Sequence, residues 1–357
     1  MGISIGDQLD DVGIEFVRET LVKIVRTPRV TGIEYMALPL LRDLMEPFSD
    51  IFKVDNWGNS EAVINPGGKP VVMFAAHIDQ LGIIVKDITE DGFLKLEGVG
   101  WDPRVVYGMR VRLLTEKGEV KGIVNTLPPH IFKTYKELGE KKLEMRDLTI
   151  DVGASNKEEV ESLGIKPGVY GVPDYDPCDL FGDYFTSPGL DDGAGITTIL
   201  VAQKKIWEHR DELDAEVHIV ATIQEEIGLR GAEMMAYRIK PDIAVAVDAT
   251  FARQPRLPEE FVIKAGKGPV ISKGPIYHWE VVNTLEGVAR EFKIPYQIEP
   301  DYRGYGTDTW AIQVARGGVK TGLVSIPLRN MHSPVEVINL RDVWWGGELL
   351  FRFVERL

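Results

Sequence analysis

Apolar runs and amphipathic stretches alternate along most of this sequence. The run Val71–Ala76 is apolar throughout and lies between Pro70 and His77, which predicts a strand buried on both faces. After Phe185, patterns typical of helices and of buried strands follow one another. Helices are predicted at 194–206, 231–237, 309–315 and 341–355, and strands at 216–223, 243–247 and 322–326. Because strands that alternate with helices form parallel sheets, we predict an α/β fold with a mostly parallel sheet flanked by helices.

The pattern changes in the middle of the chain. Short strand-like segments at 92–96, 110–114 and 119–124 are separated by turn residues, which is typical of β-hairpins. Pro128 and Pro129 then open a polar stretch rich in lysine and glutamate, which predicts a loop. We therefore predict a small β-rich domain at 83–178. It is inserted into an α/β domain that is formed by residues 1–82 and 179–357.

Composition restricts the partners and the compartment. With 55 acidic and 41 basic residues, the chain carries a net charge of −14, and an acidic surface repels the phosphates of nucleic acids. The single cysteine cannot form an internal disulfide, which favours a reducing compartment. The first residues lack the pattern of a signal peptide, and no apolar run approaches the roughly 18 residues of a membrane-spanning helix. We expect a cytoplasmic protein that binds neither nucleic acid nor membranes.

Histidines and acids cluster where the predicted strands end. The cluster consists of two imidazoles and six carboxylates: His77, Asp79, Asp191, Asp192, Glu225, Glu226, Asp248 and His332. Open α/β sheets bind their ligands at the carboxyl ends of the strands, so we expect these side chains to converge. Imidazoles combined with carboxylates form the ligand set of a hydrolytic centre that holds two divalent metal ions.

The residue types alone leave several roles open. His77 and Asp79 point the same way on an extended segment, so Asp79 can hold the second ring nitrogen of a metal-binding His77. A structural histidine would give the same pattern. Of Glu225 and Glu226, one can bind metal while the other accepts a proton from water, or both can favour a helix N-terminus. The acid pair before the helix at 194–206 is equally consistent with helix capping.

The same segments resemble the M42 metallo-aminopeptidases, the tetrahedral or TET peptidases, over nearly the whole chain. In the α/β domain the resemblance is carried by Ala76-His77-Ile78-Asp79, Leu190-Asp191-Asp192, Gln224-Glu225-Glu226-Ile227-Gly228, Val247-Asp248, Gly306-Thr307-Asp308, Ile326-Pro327-Leu328-Arg329 and His332-Ser333-Pro334. In the inserted domain it is carried by Ile150-Asp151-Val152-Gly153-Ala154 and Leu163-Gly164-Ile165-Lys166-Pro167-Gly168. The resemblance implies a zinc-peptidase-like fold and an aminopeptidase that removes amino-terminal residues from short peptides.

The resemblance also implies a set of metal ligands. Asp191 would bridge two divalent ions, zinc or cobalt. His77 and Asp248 would complete the ligands of one ion, and Glu226 and His332 those of the other.

Further roles follow from the same resemblance. Glu225 would be the general base, and Asp79 would support His77. The peptide bond between Asp191 and Asp192 would be cis. The inserted domain would mediate dimerisation, and dimers would build a hollow homododecamer.

Three positions depart from the family pattern. Gly193 stands where relatives commonly carry arginine after the two acids, which puts an ion pair near the bridging residue in doubt. Asn330 stands where tyrosine is frequent. Trp310 lies near positions that are small in relatives, so it either narrows the pocket for the first side chain of the substrate or packs in the core.

Two other functions compete with the aminopeptidase. Paired carboxylates such as Glu225 and Glu226 also suit an endoglucanase-type glycoside hydrolase, and some relatives have been labelled endoglucanases. The second alternative is a non-catalytic subunit of a mixed assembly, which keeps the scaffold without the activity.

Overall fold

The computed structural model describes residues 11–131, 142–260, 262–302 and 306–357. The chain divides into two compact units. The larger unit comprises Met1–Asp79, Pro177–Met331 and Glu336–Leu357, and the smaller unit comprises Gln80–Asp176 and His332–Val335. The loop predicted after Pro129 lies largely outside the described residues. None of the helices in the described ranges is long and apolar enough to cross a membrane.

The first part of the larger unit contributes two helices and three strands. These elements are α1 (Asp11–Arg26), α2 (Leu38–Met45), β1 (Ile51–Val54), β2 (Ser60–Ile64) and β3 (Val71–His77). Val17, Leu21 and Ile24 of α1 are fully buried, which is the spacing of an amphipathic helix with one apolar face. Every residue of β3 is buried, as its apolar run predicts.

In its described residues, the smaller unit is a closed six-stranded barrel with two short helices. Its elements are β4 (Gly82–Ile88), β5 (Leu94–Val99), α3 (Pro103–Val106), β6 (Arg110–Thr115), β7 (Gly118–Asn125), β8 (Thr149–Asp151), α4 (Lys157–Ser162) and β9 (Tyr170–Pro173). The strands follow the order β4, β5, β8, β7, β6 and β9 around the barrel. Alternate residues such as Leu94 and Leu96, or Val111 and Leu113, point into its core. The pattern of the sequence predicts β5, β6 and β7 within a few residues.

The larger unit then resumes and runs to the end of the chain. Its remaining elements are β10 (Cys178–Asp179), β11 (Tyr184–Ser187), α5 (Leu190–Glu208), β12 (Glu216–Thr222), α6 (Arg230–Ile239), β13 (Ile243–Phe251), β14 (Val270–Lys273), α7 (Trp279–Glu291), β15 (Gln297–Pro300), α8 (Asp308–Gln313), β16 (Lys320–Leu328), β17 (Glu336–Asn339) and α9 (Leu340–Glu355). β10, β11 and β17 pair as a small antiparallel sheet.

Eight strands form the main sheet of the larger unit, in the order β1, β2, β12, β3, β13, β16, β14, β15. The central strands β12, β3, β13 and β16 are parallel, as the alternation of strands and helices predicts. Towards the edges, β2 is antiparallel to both β1 and β12, and β14 is antiparallel to β16. The sheet is therefore mixed, although four of its seven strand pairs are parallel, including β14 with β15 at one edge. At one edge the cause is local, because the Asp55–Asn59 turn joins β1 and β2 into a hairpin.

Helix α5 is the central helix of the larger unit. It is buried at every residue from Leu190 to Gln203, and it packs against the sheet and against α9. The two helices approach closely because Gly346 and Gly347 of α9 carry no side chain. A Cβ atom on Gly347 would lie 2.3 Å from a methyl carbon of Val201 in α5. This packing fixes the start of α5 at the sheet, where two of the predicted site residues lie.

The register of the central strands brings their carboxyl ends together. Thr222, the last residue of β12, is paired with His77, the last residue of β3. On the other side of β3, Ala246 of β13 is paired with Ala75, so that Asp248 follows at the same edge. This edge is where an open α/β sheet binds its ligands.

Candidate metal centre

His77 is a buried imidazole that faces carboxylates through one ring nitrogen. Its Nε2 atom lies 3.3 Å from Oδ1 of Asp191 and 3.9 Å from Oδ1 of Asp248. Its Nδ1 atom lies 3.0 Å from the backbone carbonyl of Asp79 and 3.5 Å from the Asp79 carboxylate. A proton on Nδ1 that is donated to Asp79 leaves Nε2 available as a metal ligand. The sequence suggests that the carboxylate of Asp79 holds the His77 ring. The backbone oxygen of Asp79 lies closer to the ring than this carboxylate does.

The Asp79 carboxylate connects His77 to the turn that holds the two glutamates. It is fully buried, and it accepts hydrogen bonds from the backbone N–H groups of Glu225 (3.0 Å) and Glu226 (3.3 Å) and from the hydroxyl of Thr31 (2.9 Å). Burial alone would raise the pKa of Asp79, but the hydrogen bond and the charge of His77, with these donors, lower it. Asp79 therefore acts as an ionised support for the site.

Asp191 and Asp192 lie at the start of α5 and are joined by a cis peptide bond, as the family resemblance implies. The backbone N–H of Asp191 donates to the Glu336 carboxylate at 3.1 Å. One oxygen of Asp192 accepts the N–H of Gly195 at 2.8 Å, which is the capping role that the sequence left open. Its other oxygen is buried, with no hydrogen-bond partner among the described residues. A buried carboxylate oxygen of this kind favours a cation.

Glu225 and Glu226 occupy the turn after β12. Glu225 is 8% exposed, and burial together with the charges of Asp248, Asp308 and Glu226 raises its pKa to about 10, against the opposing charge of His77. The positive charge of a divalent ion beside it would lower this pKa, so that the carboxylate could accept a proton from water. The different environments of the adjacent acids are consistent with different roles.

Several buried acids raise the proton affinity of one another. Burial, and repulsion from neighbouring acids, raise the pKa of Asp192 and of Asp248 well above the usual range. Burial opposes ionisation of His77, but the charge of Glu225 and the hydrogen bonds with Asp191 and Asp79 raise its pKa. A divalent cation would relieve this repulsion and replace the bound protons, so the donor set fits a metal ion.

Two groups of three side chains in the larger unit could each hold a metal ion. One is His77, Asp192 and Asp248, and the other is His77, Glu225 and Glu226. In each group the ligand atoms lie within 4.8 Å of one another. His77 belongs to both groups. The first group contains Asp192 and not the predicted ligand Asp191, which lies 3.3 Å from Nε2 of His77.

His332 lies in the turn that follows β16. The ends of this turn are held in the larger unit, where Arg329 and Val337 form backbone hydrogen bonds with each other. The segment His332–Val335 itself groups with the smaller unit. The role of His332 as a ligand therefore stays a prediction.

The structure also places a residue near the site to which the sequence assigned no role. Asp308 is 2% exposed, and it begins α8. One of its oxygens accepts a hydrogen bond from the Thr222 hydroxyl at 2.6 Å, and burial raises its pKa to about 6, against the charge of His77. The only sequence signal was its position in Gly306-Thr307-Asp308, one of the segments that carry the family resemblance.

The three departures from the family pattern lie in different environments. Trp310 is 45% exposed on α8, which excludes a role as a core tryptophan. Asn330 has a φ of 57°, a left-handed conformation that asparagine adopts more readily than most residues. Gly193 lies in the buried first turn of α5, where a Cβ atom would be 3.2 Å from the Arg29 guanidinium.

A family model and a similar protein of named activity show the family of this chain. The family described as M42 glutamyl aminopeptidase matches residues 58–349. The lysyl aminopeptidase of Pyrococcus furiosus is 38% identical over 329 residues, which cover 91% of this chain and 93% of the relative. The match extends across both units of the chain.

Solved structures of similar proteins have the same fold. A TET aminopeptidase from the marine sediment archaeon Thaumarchaeota archaeon SCGC AB-539-E09 matches with a TM-score of 0.90 and 30% identity, covering 96% of this chain and 97% of the other. The TET1 peptidase of Pyrococcus horikoshii, which can assemble into a tetrahedron or a large octahedral shell, matches with a TM-score of 0.84 and 32% identity. That match covers 96% of this chain and all of the other.

Proposed function

Because the chain belongs to the M42 glutamyl aminopeptidase family, it is a metal-dependent hydrolase of peptide bonds, and we propose that it holds two divalent metal ions around His77. Asp191 is the proposed bridging ligand. His77 and Asp248 complete the ligands of one ion, and Glu226 and His332 those of the other. The closeness of His77 Nε2 to the carboxylates of Asp191 and Asp248 supports the first set.

The proposed ions are zinc or cobalt. Bound in this pocket, they would lower the pKa of a water molecule and polarise the carbonyl group of the scissile bond. The buried carboxylates of the pocket repel one another, and a divalent cation would reduce this repulsion. They therefore support the binding of divalent ions here.

Glu225 is the proposed general base. It accepts a proton from the attacking water and then delivers this proton to the amine of the departing peptide. Its burial beside the proposed ligands and its place in the same turn as Glu226 support this role. Asp79 holds the backbone N–H of Glu225 and the imidazole of His77, so that the base and a ligand keep a fixed geometry.

The proposed substrates are short peptides, which lose one residue at a time from the amino terminus. The pocket is rich in carboxylates and therefore attracts the cationic amino terminus of a peptide. This preference for a free amino terminus distinguishes an exopeptidase from an enzyme that cleaves within a chain.

The glycoside hydrolase is the less favoured alternative. The two acids of a glycosidase flank a sugar from different sides, and Glu225 and Glu226 are neighbours in one turn, where Asp79 holds both of their N–H groups. A non-catalytic subunit is also less favoured, because the proposed base and the ligands of the larger unit are all present in the pocket.

We also propose that the chain forms a homododecamer built from dimers. The proposed compartment is the cytoplasm. The tetrahedral assembly of the P. horikoshii relative supports the dodecamer. The contiguous barrel of the smaller unit is the proposed dimerisation domain. The single cysteine of the chain supports the compartment.

The pairing of His77 Nε2 with Asp191 and Asp248 carries the proposal, and metal removal tests it. The purified protein is stripped with a chelator, and zinc or cobalt is added back in increments. Lysyl-, glutamyl- and leucyl-anilides, amino-terminally blocked peptides and a cellulose oligomer serve as substrates. We expect activity to be lost and then regained at two ions per chain, on free amino termini only. Full activity without metal, or cleavage of the oligomer, would contradict the proposal.

A further inference from the structure

Arg29 is a fully buried arginine next to the proposed metal ligands. It follows α1, and its side chain has no exposed surface. A buried guanidinium is costly unless its N–H groups and its charge are both compensated. The contacts of Arg29 therefore indicate what it does in this fold.

The guanidinium of Arg29 connects two segments that carry proposed ligands. Its Nη1 atom donates to the backbone carbonyl of Ile78 at 2.6 Å and lies 3.4 Å from that of Asp79. Its Nη2 atom donates to the carbonyl of Gly189, two residues before Asp191. One planar group thus holds both the loop after β3 and the start of α5.

The contact with Asp79 leads directly to His77. The carbonyl oxygen of Asp79 that lies near Arg29 is also 3.0 Å from Nδ1 of His77. This oxygen fixes the orientation of the ring and the nitrogen that faces the carboxylates. A shift of Arg29 would therefore move a metal ligand that it does not touch.

The charge of Arg29 also suits its surroundings. Burial lowers the pKa of its guanidinium to about 10, while the charges of Asp192, Asp79, Glu336 and Asp191 oppose this decrease. The group therefore remains a cation at neutral pH. It offsets part of the negative charge that gathers around the proposed metal ions.

Gly193 leaves the space that Arg29 occupies. A Cβ atom at position 193 would lie 3.2 Å from Nη2 of Arg29, whereas its next neighbours, in Ile24 and Val25, would be at 3.4 and 3.6 Å. Any side chain at 193 would press on the guanidinium first. The position of the Arg29 guanidinium is therefore sensitive to a side chain at 193.

We propose that Arg29 is a positioning residue of the metal centre, which couples the loop of His77 and Asp79 to the helix start that carries Asp191. This inference rests on the metal ligands proposed above. Arg29 acts through backbone carbonyls and through its charge, and it contacts neither the substrate nor the reacting atoms. Gly193 is its steric partner.

Zinc affinity of the metal-stripped protein tests the role, with kcat and KM as further readouts. Arg29→Met keeps much of the side-chain volume but removes the N–H groups and the charge. We expect about a 10- to 100-fold loss of zinc affinity, and a kcat that falls more than KM changes. Arg29→Lys should retain only part of the native zinc affinity, because one ammonium group cannot reproduce the planar, forked hydrogen bonding of a guanidinium. Folding of each variant is checked by circular dichroism and by the melting temperature without metal.

A double-mutant cycle with Gly193→Ala tests the coupling. In the native background this change should weaken zinc binding several-fold, because the new methyl group displaces Arg29. When it is combined with Arg29→Met, Gly193→Ala should cause no further loss of zinc affinity. If the methionine variant does not fold, the same comparison is made with Arg29→Lys. Arg352→Met, in the Glu348 ion pair of α9, is the control: it should lower the melting temperature and leave zinc affinity unchanged.

Three results would overturn the inference. They are native zinc affinity in folded Arg29→Met, an equal effect of Gly193→Ala in both backgrounds, and an equal loss of affinity in the Arg352→Met control. If the native protein itself binds no zinc, the proposed function fails instead, so the two failures are distinguishable.

Discussion

The acids of the pocket have different hydrogen-bonding environments, and these environments separate their roles. Asp79 accepts hydrogen bonds from two backbone N–H groups and one hydroxyl, which keep it ionised. Glu225 lies in the same pocket, but burial and neighbouring charges make it the stronger proton acceptor. Residues of similar chemistry thus become a support and a base according to the donors that surround them.

Replacement of Glu225 by glutamine tests the base assignment. Glu225→Gln keeps the size of the side chain but cannot accept the proton, so we expect kcat to fall about 100- to 10,000-fold. The content of zinc should stay at the native level, because Glu225 is not among the proposed ligands. Both are measured on the same preparation, by anilide hydrolysis and by elemental analysis.

The exposed Glu233 of α6 provides the matched control for this prediction. Glu233→Gln should leave activity and metal content unchanged. If Glu225→Gln loses metal as well as activity, Glu225 is a ligand, and the base must be sought elsewhere in the pocket.

The sequence predicts the position of a polar residue in the pocket where that residue ends an apolar run. His77 and Asp248 are examples, because each ends an apolar run and lies at the edge of the sheet that borders the pocket. Arg29 shows the limit of this reasoning. No periodicity distinguishes a buried arginine in a loop from an exposed one, and its partner Gly189 is 160 positions away in the chain.

At the scale of elements, the packing of α5 against α9 has little room for change. Gly347→Ala places a methyl group 2.3 Å from Val201, so we expect the free energy of unfolding to fall by about 1–3 kcal/mol. The melting temperature should fall accordingly, as measured by differential scanning calorimetry.

Gly287 in α7 is the control for this prediction, because a Cβ atom there would meet nothing within 4 Å. Gly287→Ala should raise the free energy of unfolding by about 0.4–1 kcal/mol, since alanine favours the helix. Equal destabilisation by both changes would show that close packing between α5 and α9 is not the cause.

The pairing of β2 with β12 depends on a buried ionised carboxylate. Glu61 of β2 is 3% exposed, and it accepts hydrogen bonds from His218 of β12 (2.7 Å) and from Arg238 (2.6 Å). Burial alone would raise its pKa, but the hydrogen bond from His218 and the charge of Arg238 lower it below the usual 4.5. Ionised Glu61 therefore stabilises the fold above this value, and the stabilisation is lost as the pH falls through the lower pKa of the folded state.

Glu61→Gln removes this contribution. We expect a decrease of about 1–3 kcal/mol in the free energy of unfolding at pH 7. Urea unfolding at a series of pH values should show the difference between variant and native protein shrinking below the usual pKa of glutamate. The exposed Glu46, which follows α2, pairs with Arg42, and Glu46→Gln should have little effect at any pH. A loss that does not depend on pH would exclude ionisation as the cause.

The strength of the periodic signal decides which elements the sequence predicts. β3 and β13 are long and apolar, and β12 and α9 lie within one residue of their predicted bounds. Strands β14 and β15 have four residues each, too few to establish a period. Helix α7 was missed although Val281, Leu285 and Val288 have helical spacing. The mixed character of the sheet could not be read from the sequence, because strand order depends on contacts between distant segments.

At the scale of the whole molecule, assembly is the property to measure. If the chain forms the proposed homododecamer, native mass spectrometry should give a mass twelve times that of one chain. A dimer should be the smallest species at low concentration, because the proposed shell is built from dimers. A monomer that remains monomeric over the whole concentration range would contradict the assembly.

The order of the central strands has a consequence for synthesis. β3 lies between β12 and β13 in the sheet but far before both in the chain, whereas the barrel is formed by one continuous segment. Local strand pairings form faster than distant ones. The barrel can therefore fold on the ribosome before β12 and β13 have been translated and can pair with β3. The pocket around His77 cannot close before Asp248 has been translated. A peptidase built in this way is inactive as a nascent chain, and it cannot attack other unfinished polypeptides until its own larger unit has folded.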